Sequence, residues 1–496
     1  MYNMEPNKKL LSVEDAENLD INQVHKLYKK YISKSQVELI GSFGFGNDLV
    51  DYAEGSYIYL KNGKRITDFT GGIGVLGHGH NHPRIIKERK KFQENKRMEV
   101  HKNFFSPYMA ALSHNFAELM PGDLEYSFFP NSGSEAVEGA VKMAYKYHEG
   151  ERNSILVSDI SFHGKLLGAA SFTKSPELHF NFPKIQNVEE FEYNSISSIK
   201  NLIENNPTKY FAVMVEPFSA SSLLELSNEF LRELRVLCNK NNIVLIYDEV
   251  YTGWGKTGSL MNFMRLCKDT ELLQNKNNYE CLYLDINPDI LVSAKTLGGG
   301  KASISGYIAS EKIFKKAYDN LKDATLHSTT YYGFGEESVT ALEAINTVVE
   351  ENHPKKALEL GKKIAKKASD LKNKYPNEIS EVRGKGLLQG IVFNADLEIL
   401  KQAIKLLPKS ISSDKQFVEK LLTGSIISYL YDNYGLLTYY GSNQQIVFKI
   451  APSTTISEED IDYLFSSLEK TLEKGWLKIL SSFVSRKVKS IIPLPN

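Results

Sequence analysis

Two short segments of the chain each carry an apolar run into a single ionisable side chain: Val244-Leu245-Ile246-Tyr247-Asp248 and Ile290-Leu291-Val292-Ser293-Ala294-Lys295. Continuous apolar runs of this length read as buried parallel strands, and open α/β sheets bind their ligands at the carboxyl ends of such strands. Asp248 and Lys295 therefore stand where a ligand would be held. One chemistry that uses a lysine and a carboxylate together is that of pyridoxal 5′-phosphate. There the lysine holds the cofactor as a Schiff base and the carboxylate keeps its pyridine nitrogen protonated.

The phosphate of such a cofactor needs backbone donors. Asn131-Ser132-Gly133-Ser134-Glu135-Ala136 offers them between an expected strand and an expected helix that carries Ala136, Val137, Ala140, Val141, Ala144 and Tyr145 on one face. The first N–H groups and the dipole of that helix would face an anion, with glycine permitting close approach and the serines adding donors. A plain N-terminal cap accounts for the same triplet. Two other motifs suggest rival chemistries. Gly253-Trp254-Gly255-Lys256-Thr257-Gly258 has the look of a nucleotide-binding loop, but that motif needs glycine where Val250 stands. His78, His80 and His82 alternate as metal ligands can, yet interleaved glycines and Pro83 indicate a turn-rich loop with no cysteine or carboxylate cluster nearby, so no metal is expected.

Such residues need a scaffold. From Tyr57 to Phe69 alternating apolar residues flank Asn62-Gly63, a dipeptide suited to a hairpin turn. From there to Val339 helices and strands alternate, with strands expected at Tyr126–Pro130, Ser154–Val157, Phe211–Glu216, Ile243–Asp248, Asp289–Ala294 and Gly306–Ala309. This pattern predicts a mostly parallel, doubly wound α/β sheet. From Thr340 lysine- and glutamate-rich helices take over, with shorter strands expected at Leu387–Phe393 and Ile446–Ile450, which predicts a smaller α+β domain. The expected division is an N-terminal segment 1–65 that contributes to the small domain and the active-site entrance, a large cofactor-binding domain 66–339, and a C-terminal small domain 340–496.

With 496 residues, 42% of them hydrophobic, and 60 basic against 60 acidic side chains, the chain can bury a large core in more than one domain, and no charge excess points to nucleic acid. The cluster Lys362 to Lys367 reads as the solvated face of a helix. Cys238, Cys267 and Cys281 are too few and scattered for a disulfide framework, which fits a reducing cytosol. The first twenty residues are polar, without the apolar core of a signal peptide, and no apolar run approaches the ~20 residues of a membrane span. A soluble, cytoplasmic protein is expected.

In sequence order, Asp68-Phe69-Thr70-Gly71-Gly72-Ile73-Gly74, Gly77 to Pro83, Asn131 to Ala136, Phe162-His163-Gly164-Lys165, Val215-Glu216-Pro217, Asp248-Glu249-Val250, Thr257-Gly258, Pro288 to Lys295, Gly298-Gly299-Gly300 and His327 to Gly333 resemble the landmarks of a class III, fold-type I pyridoxal phosphate aminotransferase. Within that family the layout is most similar to putrescine and acetylornithine-type members. The resemblance implies that Lys295 bears the cofactor and shuttles a proton, and that Asp248 pairs with the pyridinium nitrogen. It implies that Gly133 and Ser134 bind the phosphate, joined by Thr330 from the partner of a homodimer. Phe162 and Val250 would pack on opposite faces of the cofactor ring, His163 would lie at the cofactor, and Glu216 would lie near its phenolic oxygen and the substrate.

The departures bear on substrate. Ornithine- and acetylornithine-type members place arginine after the aromatic-His-Gly turn, where this chain and putrescine-type members have lysine, here Lys165. The arginine common near the carboxyl end is replaced in Val447-Phe448-Lys449-Ile450-Ala451-Pro452 by Lys449. Lysine lacks the planar bidentate grip of arginine, leaving an α-carboxylate more weakly held or held elsewhere, with Arg383 one candidate. The segment Gly333-Phe334-Gly335-Glu336-Glu337 replaces the family's Gly-Gly-Asn-Pro at the expected dimer interface. Extra residues between Met261 and Leu284 read as an entrance element or a surface loop, and the tail from Trp476 as an amphipathic helix packed on its own domain or on a membrane or partner. The expectation is transfer of an amino group from a primary amine or ω-amino compound, putrescine favoured, to a keto acid such as 2-oxoglutarate. An intramolecular aminomutase or racemase of the same family is the alternative, and a non-catalytic scaffold a further one.

Overall fold

The computed structural model describes residues 10–175, 180, 182–184, 187–265, 286–394, 415–481 and 483. A seven-stranded sheet holds β1 (Leu124–Phe128), β2 (Ser154–Ser158), β3 (Asn187–Phe191), β4 (Tyr210–Val215), β5 (Val244–Asp248), β6 (Ile290–Ser293) and β7 (Gly306–Ser310) in the order β1-β7-β6-β5-β4-β2-β3. The pairs β6/β5, β5/β4, β4/β2 and β2/β3 are parallel, while β7 runs against both of its neighbours. Every residue of β2, β4, β5 and β6 is buried. Alternate side chains feed two cores: Val213, Leu245, Tyr247 and Leu291 meet Leu231 and Leu234 of the helix Asn228–Asn241 on one face. Ala212, Met214, Ile246 and Val292 meet Ala136, Val137 and Ala140 of the helix Gly133–Tyr147 on the other. Burial on both faces is why these strands read as unbroken apolar runs.

The expected strands all form, with ends within two residues of those read from sequence. Asn187–Phe191 was not anticipated, because this edge strand carries Glu189 and Glu190 and buries only Phe191. The hairpin pairs Tyr57–Leu60 with Arg65–Asp68, Ile58 opposite Ile66, and Gly63 in the turn takes φ 84°. An unexpected strand, Val50–Glu54, flanks it, and Leu436–Leu437 pairs parallel to its other edge, so the N-terminal segment is joined to the C-terminal part of the chain.

A second sheet, antiparallel, orders Ile379–Lys385, Leu388–Phe393, Ile446–Ile450 and Tyr439–Ser442. Its core gathers Ile391 and Phe448 with Ile364, Ile426 and Leu464 from three helices. The helix Gly335–Glu350 runs unbroken across the expected 339/340 boundary and buries Ala341, Ile345 and Val348 in the large-sheet core. The second sheet and the helices packed on it are referred to as the small unit.

Lys363 and Lys367 pair with Asp462, and Lys363 also with Glu458, across neighbouring helices, as a solvated ion-paired face does. The described part of the tail packs inward: Trp476, Ile479 and Leu480 join the small-unit core, and Trp476 meets Phe393 edge-on at 5.9 Å. Residues 266–284 of the extra segment, Cys267 and Cys281, and the tail beyond Phe483 lie outside the described residues. Among the described residues no helix is long and apolar enough to cross a membrane.

Candidate active site

Strands β5 and β6 are hydrogen-bonded neighbours with Asp248 beside Val292, so their carboxyl ends deliver Asp248 and Lys295 to one place. Both line a cavity of about 630 Å³, with Gly133, Ser134, Phe162, His163, Glu216 and Val250 also in its wall. The chain turns sharply to do this: Ala294 is extended, and Lys295 takes a left-handed φ of 52°. Such a conformation costs a non-glycine residue on the order of 1–3 kcal/mol and persists where surroundings over-determine it. Burial pushes the Lys295 amine down from its ordinary range, while Asp248 and Glu216 pull it back up. A buried amine of this kind is more readily the neutral nucleophile.

Asp248 is buried and bound on both oxygens. Oδ1 accepts from the Val250 amide at 2.9 Å, and Oδ2 lies 2.7 Å from His163 Nδ1. A carboxylate is acceptor-only, so His163 donates from Nδ1. The His163 amide in turn donates to Thr173 Oγ1 at 2.9 Å, fixing the turn. Glu216, one residue past β4, accepts from the amides of Phe162 at 3.0 Å and Ala220 at 3.1 Å. Its burial pushes its carboxyl up to about 7, with His163 opposing and Asp248 adding to the rise.

The helix Gly133–Tyr147 begins at the cavity. Its cap is Ser132, whose Oγ accepts from the Glu135 amide while Glu135 accepts from the Ser132 amide. The first-turn N–H groups of Gly133 and Ser134 have no intrahelical acceptor and are donors for an anion. Gly133 cannot carry a side chain easily, since a Cβ would lie 3.1 Å from Val250 Cγ1. Phe162 and Val250 are both half-buried in the wall. A helix N-terminus with a hydroxyl for a phosphate, two apolar walls for a ring, a carboxylate for a ring nitrogen and a buried amine together fit pyridoxal 5′-phosphate.

The remaining expected residues divide. Thr330 is exposed and does not line the cavity of its own chain. Lys165 is exposed at the rim, its Nζ 5.8 Å from the Phe162 ring. Lys449 is buried in the wall and donates to the Ala220 carbonyl. Arg383 does not line the cavity: Glu381, Gln445 and the Ser222 carbonyl hold its guanidinium. Among the described residues the cations of the wall are Lys165, Lys295 and Lys449, without an arginine. Sequence reasoning missed Tyr251, Tyr439 and Tyr440, which also line it; Tyr251 directly follows the Asp248-Glu249-Val250 motif, but the other two come from the small sheet and carry no local signal.

The rival motifs have structural uses. Lys256 is buried, donating to the Ala451 and Pro452 carbonyls at 2.9 and 2.7 Å, and burial lowers it to about 7. His78 meets the Ala344 carbonyl, His80 Asp68 and His82 Glu351. Among the described residues no group of three or more His, Cys, Asp or Glu could hold a metal ion.

The profile of the family described as aminotransferase class-III matches residues 47–472. Solved structures share the fold. A transaminase from the marine bacterium Virgibacillus is 20% identical, with 92% of this chain and 99% of that chain covered and a TM-score of 0.76. The ornithine aminotransferase from Toxoplasma gondii ME49 is 20% identical, with 96% and 98% covered and a TM-score of 0.72. The acetylornithine aminotransferase from Elizabethkingia anophelis is 22% identical, with 92% and 100% covered and a TM-score of 0.67.

Proposed function

The chain belongs to the class III aminotransferases and is a pyridoxal 5′-phosphate-dependent aminotransferase, and we propose that it moves an amino group from a primary amine or ω-amino compound, a diamine such as putrescine favoured, to a keto acid such as 2-oxoglutarate. The two substrates would use one cavity in turn. When bound, pyridoxal 5′-phosphate supplies the carbonyl carbon that takes up the amino group and a ring that draws electrons from the adjacent C–H bond. The observation that carries the reading is the delivery of the Lys295 amine and the Asp248 carboxylate to one cavity from neighbouring parallel strands.

In this reading Lys295 Nζ would hold the cofactor and, once released, would carry the proton from the substrate carbon to the cofactor's carbonyl carbon. Asp248 would hold a proton on the ring nitrogen, and His163, donating from Nδ1, keeps that carboxylate aimed. Gly133 and Ser134 bind the phosphate, with Thr330 of a partner subunit reaching in; a cytoplasmic homodimer is part of the proposal. Phe162 and Val250 would pack on the ring's two faces. Glu216, its carboxyl raised by burial, sits where it can answer either a substrate ammonium or the cofactor's phenolic oxygen. Lys449 supplies the cation for a keto acid's carboxylate, and Tyr251, Tyr439 and Tyr440 supply apolar faces for a methylene chain.

Lys165 carries the donor choice. With lysine in place of the bidentate arginine, an α-carboxylate loses a charge-assisted pair, which amounts to roughly tenfold to hundredfold in specificity. Putrescine or cadaverine should therefore show a higher kcat/KM than N-acetylornithine, and Lys165→Arg should narrow the gap. A wild-type preference for N-acetylornithine overturns the diamine reading and leaves the reaction class intact. Trapping the amino form of the enzyme after the first substrate, then restoring it with a keto acid, separates two-substrate transfer from an intramolecular mutase or a racemase.

A further inference from the structure

Tyr251 is buried on the turn that leaves β5, three residues beyond Asp248, and lies in the cavity wall. Its ring centroid is 4.6 Å from Lys295 Nζ and 5.8 Å from Lys449 Nζ, within cation–π range of both amines. Its hydroxyl is hydrogen-bonded to that of Tyr439, whose strand belongs to the small sheet. The opposite side is shaped for it: a Cβ on Gly74 would lie 2.8 Å from Tyr251 Cζ. The Gly74 carbonyl accepts from Thr296 Oγ1 at 3.0 Å, the residue that follows Lys295. One ring is thus braced by the loop that also braces the lysine's neighbour, and tied by its hydroxyl to the other unit. Burial pushes both phenols up from their ordinary range, so neither serves as a proton acceptor near neutral pH. What remains for Tyr251 is placement.

We propose that Tyr251 is a positioning residue for Lys295: its ring holds the amine in the cavity, and its hydroxyl bond to Tyr439 makes that hold depend on the seating of the small unit. The proposal rests on the reading of Lys295 as the cofactor-bearing lysine. It has a consequence in the cofactor-free protein. An aromatic ring in cation–π range favours the ammonium over the neutral amine, so removing the ring makes Lys295 a weaker base. Removing either hydroxyl leaves the ring in place but loosened.

The test is the pH dependence of Lys295 trinitrophenylation in cofactor-free protein, located by peptide mapping, for wild type, Tyr251→Leu, Tyr251→Phe, Tyr439→Phe and the double Phe variant. Altered access rescales the plateau rate, whereas altered basicity moves the midpoint. Tyr251→Leu should move the midpoint to lower pH, so that below it the rate normalised to its plateau rises about two- to thirtyfold. Each Phe variant should move it less, and the double Phe variant no further than either single one, because one shared bond is lost. An unmoved midpoint in Tyr251→Leu, or additive shifts in the two Phe variants, overturns the proposal. The Phe variants decide the matter alone should Tyr251→Leu not fold. Borohydride reduction of the wild-type holoenzyme followed by peptide mapping reports separately on the underlying reading: label on a lysine other than Lys295 removes that reading, whatever the tyrosine variants do.

Discussion

A single methyl group at Gly164 tests the cofactor cradle. Gly164 takes φ 129°, and a Cβ there would lie 2.3 Å from Ser134 Oγ and 2.8 Å from Ala169 Cβ. Two costs follow in Gly164→Ala. The first is backbone strain, on the order of 1–3 kcal/mol, paid in the folded state with or without cofactor. The second falls on Ser134, whose hydroxyl must retreat by about 1 Å to reach ordinary contact; if Ser134 binds the phosphate as proposed, this breaks a charge-assisted bond worth about 1.5–3 kcal/mol. The dissociation constant for pyridoxal 5′-phosphate should then rise roughly tenfold to hundredfold. Titration of cofactor-free protein, followed by absorbance, reads the second cost, and the melting temperature of the cofactor-free protein reads the first. In a Ser134→Ala background the hydroxyl is already gone, so Gly164→Ala should weaken binding further by much less than it does in wild type. A dissociation constant unchanged by Gly164→Ala, or equal effects in both backgrounds, would refute the placement of Ser134 at the phosphate.

Lys295→Ala should abolish turnover while the fold survives, because it removes the covalent anchor and the proton carrier together; turnover above a small fraction of wild type counts against this lysine. Asp248→Asn should retain cofactor yet lose several orders of magnitude in rate, since a neutral amide cannot hold the ring nitrogen protonated, and a near-normal rate would assign that task to another carboxylate. His78 and His353 are kept neutral by burial, down to about 3 and about 4. The unfolded chain takes up protons near pH 6.5 that the folded chain refuses, so their contribution is complete above that pH and is lost as pH falls toward 4. Melting temperature should fall from pH 7 to pH 5 and fall less steeply in His353→Gln; parallel profiles would exclude His353 as a source of the slope. Trp476→Ala should cost about 3–5 kcal/mol in urea unfolding, given its burial against Phe393, and a cost under about 1 kcal/mol would mean the tail is not part of the core.

Asp248 and Lys295 were legible because β5 and β6 are buried on both faces, so each charge interrupts an otherwise apolar run. Gly133-Ser134 was legible only as a cap or a phosphate site; the structure shows Ser132 as the cap, with the next two amides left without an intrahelical acceptor. Edge and interface features were not legible. Asn187–Phe191 shows solvent most of its length and so carries no apolar signature. Glu336 and Glu337 belong to the segment expected at a dimer interface, and in the structure both face Arg89, in the helix Pro83–Glu94. A charge pattern reports exposure and pairing alike, and the partner of a pair lies far away in sequence. The same limit separates reaction from substrate. The lysine and carboxylate sit at the ends of adjacent strands, where sheet pairing alone brings them together. Lys449 and Tyr439 reach the cavity from the second sheet, so the full lining of the cavity depends on how two surfaces distant in sequence meet, which no local run of residues encodes.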